Sequence, residues 1–127
     1  MMEPGDLVVA LYKSGEYVAE VVQWDKPKAK VRILAVLKHP KQGDLHHPLQ
    51  ADVAMFHQRR ALAYREVANV FTSQLKPYEG EEAPDYQASL HSALQREMEE
   101  MERLDNEFGR RSLIELETLA TDYGFKA

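Results

Sequence analysis

From Gly5 to Leu37 the apolar side chains fall on every second position, in three runs separated by turn signals. In the first run Leu7, Val9 and Leu11 share one face and Val8, Ala10 and Tyr12 the other. Lys13-Ser14-Gly15 follows as a tight turn, with Gly15 able to take positive φ. The second run sets Val18, Val22 and Trp24 against Tyr17, Ala19 and Val21, and Asp25 to Lys28 turns again. The third sets Val31, Ile33, Ala35 and Leu37 against Arg32, Leu34 and Val36. β-Branched and aromatic residues dominate, so the stretch predicts a three-strand antiparallel meander. A sheet this small exposes two edges and must curl onto later strands or be covered.

The alternation stops at Leu37. Lys38 to Asp52 is a loop with two prolines, a Gly-Asp turn and three histidines, and loops this long are often functional. After a short run, Val53 to Phe56, the segment Arg60 to Val67 is ambiguous. Leu62 and Tyr64 alternate as in a strand, while the alanines and arginines would suit a helix. A strand is the choice that gives the meander something to close on. The expectation is a mainly β chain, with a small SH3-like barrel of about five strands followed by a C-terminal αα-hairpin. The barrel would span residues 1–75 and the helical subdomain 76–127. Leu75 to Asp85, rich in proline and acid, would be the linker.

From Tyr86 the period changes. Tyr86, Leu90, Leu94, Met98, Met101 and Leu104 recur at three and four residues, behind Asp85 as N-cap. A break at Asn106 to Arg110 precedes a second predicted helix. Ser112 and Glu115 would form its capping box, Leu113, Leu116, Leu119, Ala120 and Tyr123 its apolar face, and Gly124 its C′ residue.

The chain of 127 residues carries a formal charge of −5, which argues against nucleic acid as the main partner. Residues 1–75 hold 10 basic and 8 acidic side chains and residues 76–127 hold 6 and 13, so the helical part is the acidic one. There is no cysteine, which excludes disulfides, thiolate metal sites and lipid attached through cysteine within this sequence. No secretory signal and no membrane-spanning run is visible, so the expected location is cytoplasmic, at most peripheral to a membrane.

Candidate chemistry is sparse. His39, His46, His47 and His57, with Asp44, include metal-binding residue types. Their spacing matches no tight ligand motif, so hydrogen bonding to loop backbone is the better expectation and no metal or other cofactor is assigned. Tyr12, Tyr17 and Trp24 could form a methyl-lysine cage, but a small barrel needs large rings as core. Arg59 and Arg60 could grip a phosphate or a partner's carboxylates, or pin the acidic C-terminal part; the charge distribution favours the latter. The acidic run from Glu97 to Glu107 is expected to be a solvated helix face. No P-loop, GxSxG, GxGxxG or HExxH motif is present, so an enzymatic function has no support.

Leu34 to Glu66 reads LAVLKHPKQGDLHHPLQADVAMFHQRRALAYRE. Its motifs LAVLKHPKQGDLH and FH-x-RRALA-x-RE lie between an opening GDLVVALYKSGEY and a KPYEGE-like linker. By these the chain resembles the kinase-associated protein B family of spore-forming bacteria, from Gly5 to about Tyr123. The resemblance implies an SH3-like barrel with an added helical piece. It also implies a role supporting a membrane sensor histidine kinase that feeds the sporulation phosphorelay; family members have been described as lipoproteins, and there are no catalytic residues to carry over. The expected function is therefore non-enzymatic binding of a sensor histidine kinase or an associated signalling protein. Lys38, His39, Asp44, His46, His57, Arg59 and Arg60 would supply the surface. The alternatives are a Tudor- or KOW-like module for nucleic acid or nucleoprotein, and a metal-dependent hydrolase built on the histidine loop.

Overall fold

The computed structural model describes residues 2–125. Strands β1 (Leu7–Tyr12) and β2 (Gly15–Gln23) pair from Leu7↔Glu20 to Tyr12↔Gly15. Their turn is therefore the two residues Lys13 and Ser14, both left-handed at φ 45° and 69°. Gly15 is not the positive-φ residue. It is the first residue of β2, where a Cβ would lie 2.6 Å from the Tyr17 hydroxyl, so its smallness makes room for that ring. Strand β3 (Lys28–Lys38) runs back along β2 with three register shifts, each of which bends the pair.

Strand β4 (Val67–Phe71) pairs with β3, and β5 (Leu75–Pro77) pairs with β1, giving the order β4-β3-β2-β1-β5. The connection between β4 and β5 is one 3₁₀ turn, Thr72–Gln74. In a flat five-stranded sheet the two edges would be about 19 Å apart, at ~4.8 Å per strand. A 3₁₀ turn advances only about 2 Å per residue. The sheet must therefore curl until its edges approach, which makes it a partly open barrel of the SH3-like order.

Two local expectations fail here. Arg60 to Glu66 is not a strand, and sheet pairing resumes as β4 only at Val67. The N–H groups of Ala61, Leu62 and Ala63 go to the Tyr123 hydroxyl, the Tyr17 hydroxyl and the Glu66 carboxylate, and Arg65 is left-handed at φ 69°. Side chains satisfy the backbone that a ladder would otherwise have claimed. The final strand instead begins at Leu75, inside the segment expected to be linker.

Helix α1 (Tyr86–Leu104) is capped by Asp85, whose carboxylate accepts from the Ala88 N–H at 3.0 Å, as expected. Its buried stripe is Leu90, Ala93, Leu94, Glu97 and Met101. Glu97 thus lies on the apolar stripe and not on the solvated face. Helix α2 (Glu107–Asp122) starts earlier than the sequence indicates, with Asn106 as N-cap accepting from the Gly109 N–H at 2.8 Å. Ser112 is mid-helix and buried, so there is no capping box. The helix ends as expected: Gly124, at φ 88°, donates to Thr121 and Phe125 donates to Ala120, a Schellman closure.

Leu90 and Ala93 of α1 share one core with Val8, Ala10, Tyr17, Val31 and Ile33 of the sheet. Met101 and Leu94 form a second core with Phe108 and Leu116 of α2.

Candidate functional site

The crossover from β3 to β4, residues 39–66, holds most of the residues singled out in the sequence, and it divides into a buried base and an exposed tip. At the base His39 is fully buried. Its Nδ1 is 3.0 Å from the Pro40 carbonyl and its Nε2 2.9 Å from the Tyr123 hydroxyl. The carbonyl can only accept, so Nδ1 carries the proton and Nε2 accepts from Tyr123. Burial holds the ring neutral, with its pKa lowered to about 4. Gln42, also buried, donates to the Pro40 and Arg59 carbonyls and accepts from the Arg59 N–H, stapling the two ends of the crossover.

Arg59 is spent in the same staple, its Nε donating to the Gly43 carbonyl at 3.1 Å. Arg60 is exposed, with its guanidinium 5.1 Å from the centre of the Tyr123 ring. Neither side chain forms an ion pair with the acidic C-terminal part among the described residues. That ion pair is made by Lys41, 3.0 Å from Glu97 and 3.1 Å from Glu100. Burial raises the pKa of Glu97, and Lys41 counters it.

Beyond the base, Asp44 accepts from the His46 N–H and from His47 Nδ1. The His47 ring holds its carboxyl below the usual range. His46 and the His57 ring are exposed, and the His57 carbonyl closes the loop neck by accepting from Gly43. Lys38 is exposed at the end of β3, opposite Glu16. The crossover is fastened to α2 by Arg111, which donates to the Ala51 carbonyl and lies 4.4 Å over Phe56, and by Phe56 edge-on to Phe108. Between these fastenings Leu49 and Met55 are left 60% and 61% exposed. Of the expected surface, then, Lys38, His46, His57 and Arg60 face solvent, while His39 and Arg59 are structural.

A second feature lies beside β4, and local sequence pattern does not show it. An open groove of about 880 Å³ runs between the β1–β2 hairpin and β4. Leu11, Tyr12 and Lys13 line one wall and Val67 through Phe71 the other, with Lys28 and Gln74 at the rim. It exists because β4 does not pair with the β1–β2 hairpin: β4 passes through the 3₁₀ turn into β5, and it is β5 that pairs with β1. Only the curl of the sheet, which the sequence does not display, brings these two stretches together.

The aromatic cage does not assemble. Tyr17 is core, Tyr12 lines the groove and Trp24 packs at the edge of the core. No cluster of three His, Cys, Asp or Glu side chains converges among the described residues. No helix among them is long and apolar enough to cross a membrane.

The family model for kinase associated protein B matches residues 12–124. The chain is 43% identical over 121 residues to kinase-associated lipoprotein B of Bacillus subtilis (strain 168), covering 95% of this chain and 94% of that one. The crystal structure of kinase-associated protein B from Bacillus cereus superposes with a TM-score of 0.83 at 38% identity, over 98% of this chain and 100% of that one. The expected cytoplasmic location is overturned by the first of these relatives, which is named a lipoprotein. Match, identity and fold agree along almost the whole length, and the chain belongs to the kinase-associated protein B family.

Proposed function

We propose that this chain is a non-enzymatic accessory protein that supports a sensor histidine kinase feeding the sporulation phosphorelay, acting by protein–protein binding at a membrane surface. Family membership supports the kinase, and the relative's name supports the membrane. The observation that carries the binding mode is the crossover. Hydrogen bonds through His39, Gln42 and Arg59 fix its base, while its tip offers Leu49 and Met55 to solvent beside His46 and His57. Exposed apolar side chains on a rigid base lose little conformational freedom on docking.

Leu49→Asp with Met55→Asp is expected to weaken association with the purified kinase by about tenfold or more, since two apolar anchors are lost. The thermal midpoint should be unchanged, because neither side chain is core. Unchanged capture of the kinase by this variant would remove the tip from the interface. Failure of the unaltered protein to bind the kinase would remove the function.

A further inference from the structure

We propose that the groove between the β1–β2 hairpin and β4 is a strand-addition site, which takes an extended segment of another protein with alternating apolar and acidic residues. This stands apart from the crossover tip and does not depend on the kinase.

The backbone carries the first part of the argument. Ile33 donates to the Glu66 carbonyl and Thr72 to the Pro27 carbonyl, and the intervening register runs Arg32↔Val67 to Lys28↔Phe71 without a shift. In an antiparallel ladder the N–H and C=O of one residue point the same way, and alternate residues point opposite ways. Glu66 and Thr72 point toward β3, so Ala68 and Val70 do too. Val67 and Asn69 therefore turn their N–H and C=O groups outward and Phe71 its N–H, and among the described residues no backbone group pairs with these; the Phe71 carbonyl belongs to the 3₁₀ turn that Phe71 caps. All five consecutive residues of β4 line the groove, as expected when the edge of a strand, and not one of its faces, forms the wall.

The two free edges of this sheet are also unlike each other. β5 is only Leu75–Pro77, three residues, two of them lysine and proline, the usual protection against unwanted pairing. β4 reads Val-Ala-Asn-Val-Phe, with no charge and no proline, and Val67 and Phe71 are 47% and 51% exposed. An unprotected edge beside an open groove is the arrangement that strand addition requires.

Charge specifies the occupant. Lys13 lies 5.3 Å over the Tyr12 ring and Lys28 4.7 Å over Phe71, and neither has an ion-pair partner among the described residues. The acids of the groove are otherwise placed: Glu66 accepts from the Ala63 N–H, and Glu16 lies opposite Lys38. An incoming strand would set apolar side chains against Leu11, Val67 and Phe71 and carboxylates toward Lys13 and Lys28.

The test uses the whole protein and a capped peptide of about eight residues alternating valine and glutamate, long enough to cover the edge. A peptide of the same composition with its valines in one block is the control. Amide exchange by NMR is expected to show Ala68 and Val70 already protected in the free protein. Val67, Asn69 and Phe71 should become protected only with the alternating peptide. Asn69→Pro deletes an outward N–H and no ladder bond, so it should fold and bind the peptide about tenfold or more weakly. Phe71→Asp, at an exposed position, should do the same and serves if the proline variant fails to fold. Lys13→Glu with Lys28→Glu should weaken the acidic peptide further. The proposal is overturned if the peptide protects none of the three amides, if the blocked control protects them equally, or if a folded Asn69→Pro or Phe71→Asp binds like the unaltered protein.

Discussion

Two elements meet at His39: the crossover, which supplies both the ring and the Ala61 N–H, and the end of α2, whose Tyr123 hydroxyl donates to the ring and accepts from Ala61. The arrangement requires a neutral ring, and the folded pKa of about 4 lies below the ordinary value of 6.5. Between those values the unfolded chain binds a proton that the folded one refuses. The stability that His39 contributes is therefore complete above pH 6.5 and is lost as pH falls toward 4, to a limit of about 3 kcal/mol. Urea unfolding at stepped pH should show this decline, and His39→Gln should flatten it over the same window. The sequence shows His39, His46 and His47 as three equivalent rings in one loop. What separates them is burial, which follows from Tyr123, a residue 84 positions away along the chain, and local pattern does not reveal it.

At the scale of elements, the first three strands and both helices were legible because each repeats its period several times over. The ends of α2 show where such reading stops. Ser112-x-x-Glu115 has the form of a capping box, and Gly109 has the look of a breaker. Yet a Cβ on Gly109 would meet the Met101 carbonyl at 2.5 Å, so that glycine serves the close approach of α2 to α1 inside a continuing helix. The cap is Asn106, and Asn106→Ala is expected to cost about 1 kcal/mol. Ser112→Ala should be neutral or slightly stabilising, because the buried Ser112 hydroxyl has no hydrogen-bond partner. Denaturant midpoints of the two variants, at unchanged slope, separate these outcomes. The missed strand is the complementary lesson. Val67 to Phe71 alternates exposed and buried side chains in the fold, but it follows a segment, Arg60 to Glu66, in which Leu62 and Tyr64 alternate with alanines as a strand would. Only the tyrosine hydroxyls from β2 and the end of α2 that claim the amides of Leu62 and Ala61 decide between the two. The candidate site was legible to the same degree: the crossover could be found as a loop, but not which of its side chains were turned inward.

For the molecule as a whole, the uneven charge announced that the β part and the acidic helices would be tied electrostatically. It pointed to Arg59 and Arg60, where the tie is Lys41. Glu97 has a side chain only 2% exposed, and both of its carboxylate oxygens take hydrogen bonds from Lys41. Removing one partner of such a pair costs more than the pair itself contributes, because the remaining charge is stranded in the core. Lys41→Met is therefore expected to destabilise the fold by about 3 kcal/mol at neutral pH, the low end for such a pair because Lys41 itself is partly exposed. The pH dependence of that loss has the opposite sign to that of His39. Burial raises the folded pKa of Glu97, and without Lys41 to counter it the rise is larger. The folded state then gains a proton before the unfolded chain does, so stability returns as pH falls through the raised pKa and is lost again as pH rises. Combining Lys41→Met with Glu97→Gln should recover most of the loss at neutral pH and abolish its pH dependence, measured by urea unfolding across pH 4.5 to 8. If the double variant were as unstable as Lys41→Met alone, Lys41 would be holding the crossover to α1 through its aliphatic stem and not through its charge.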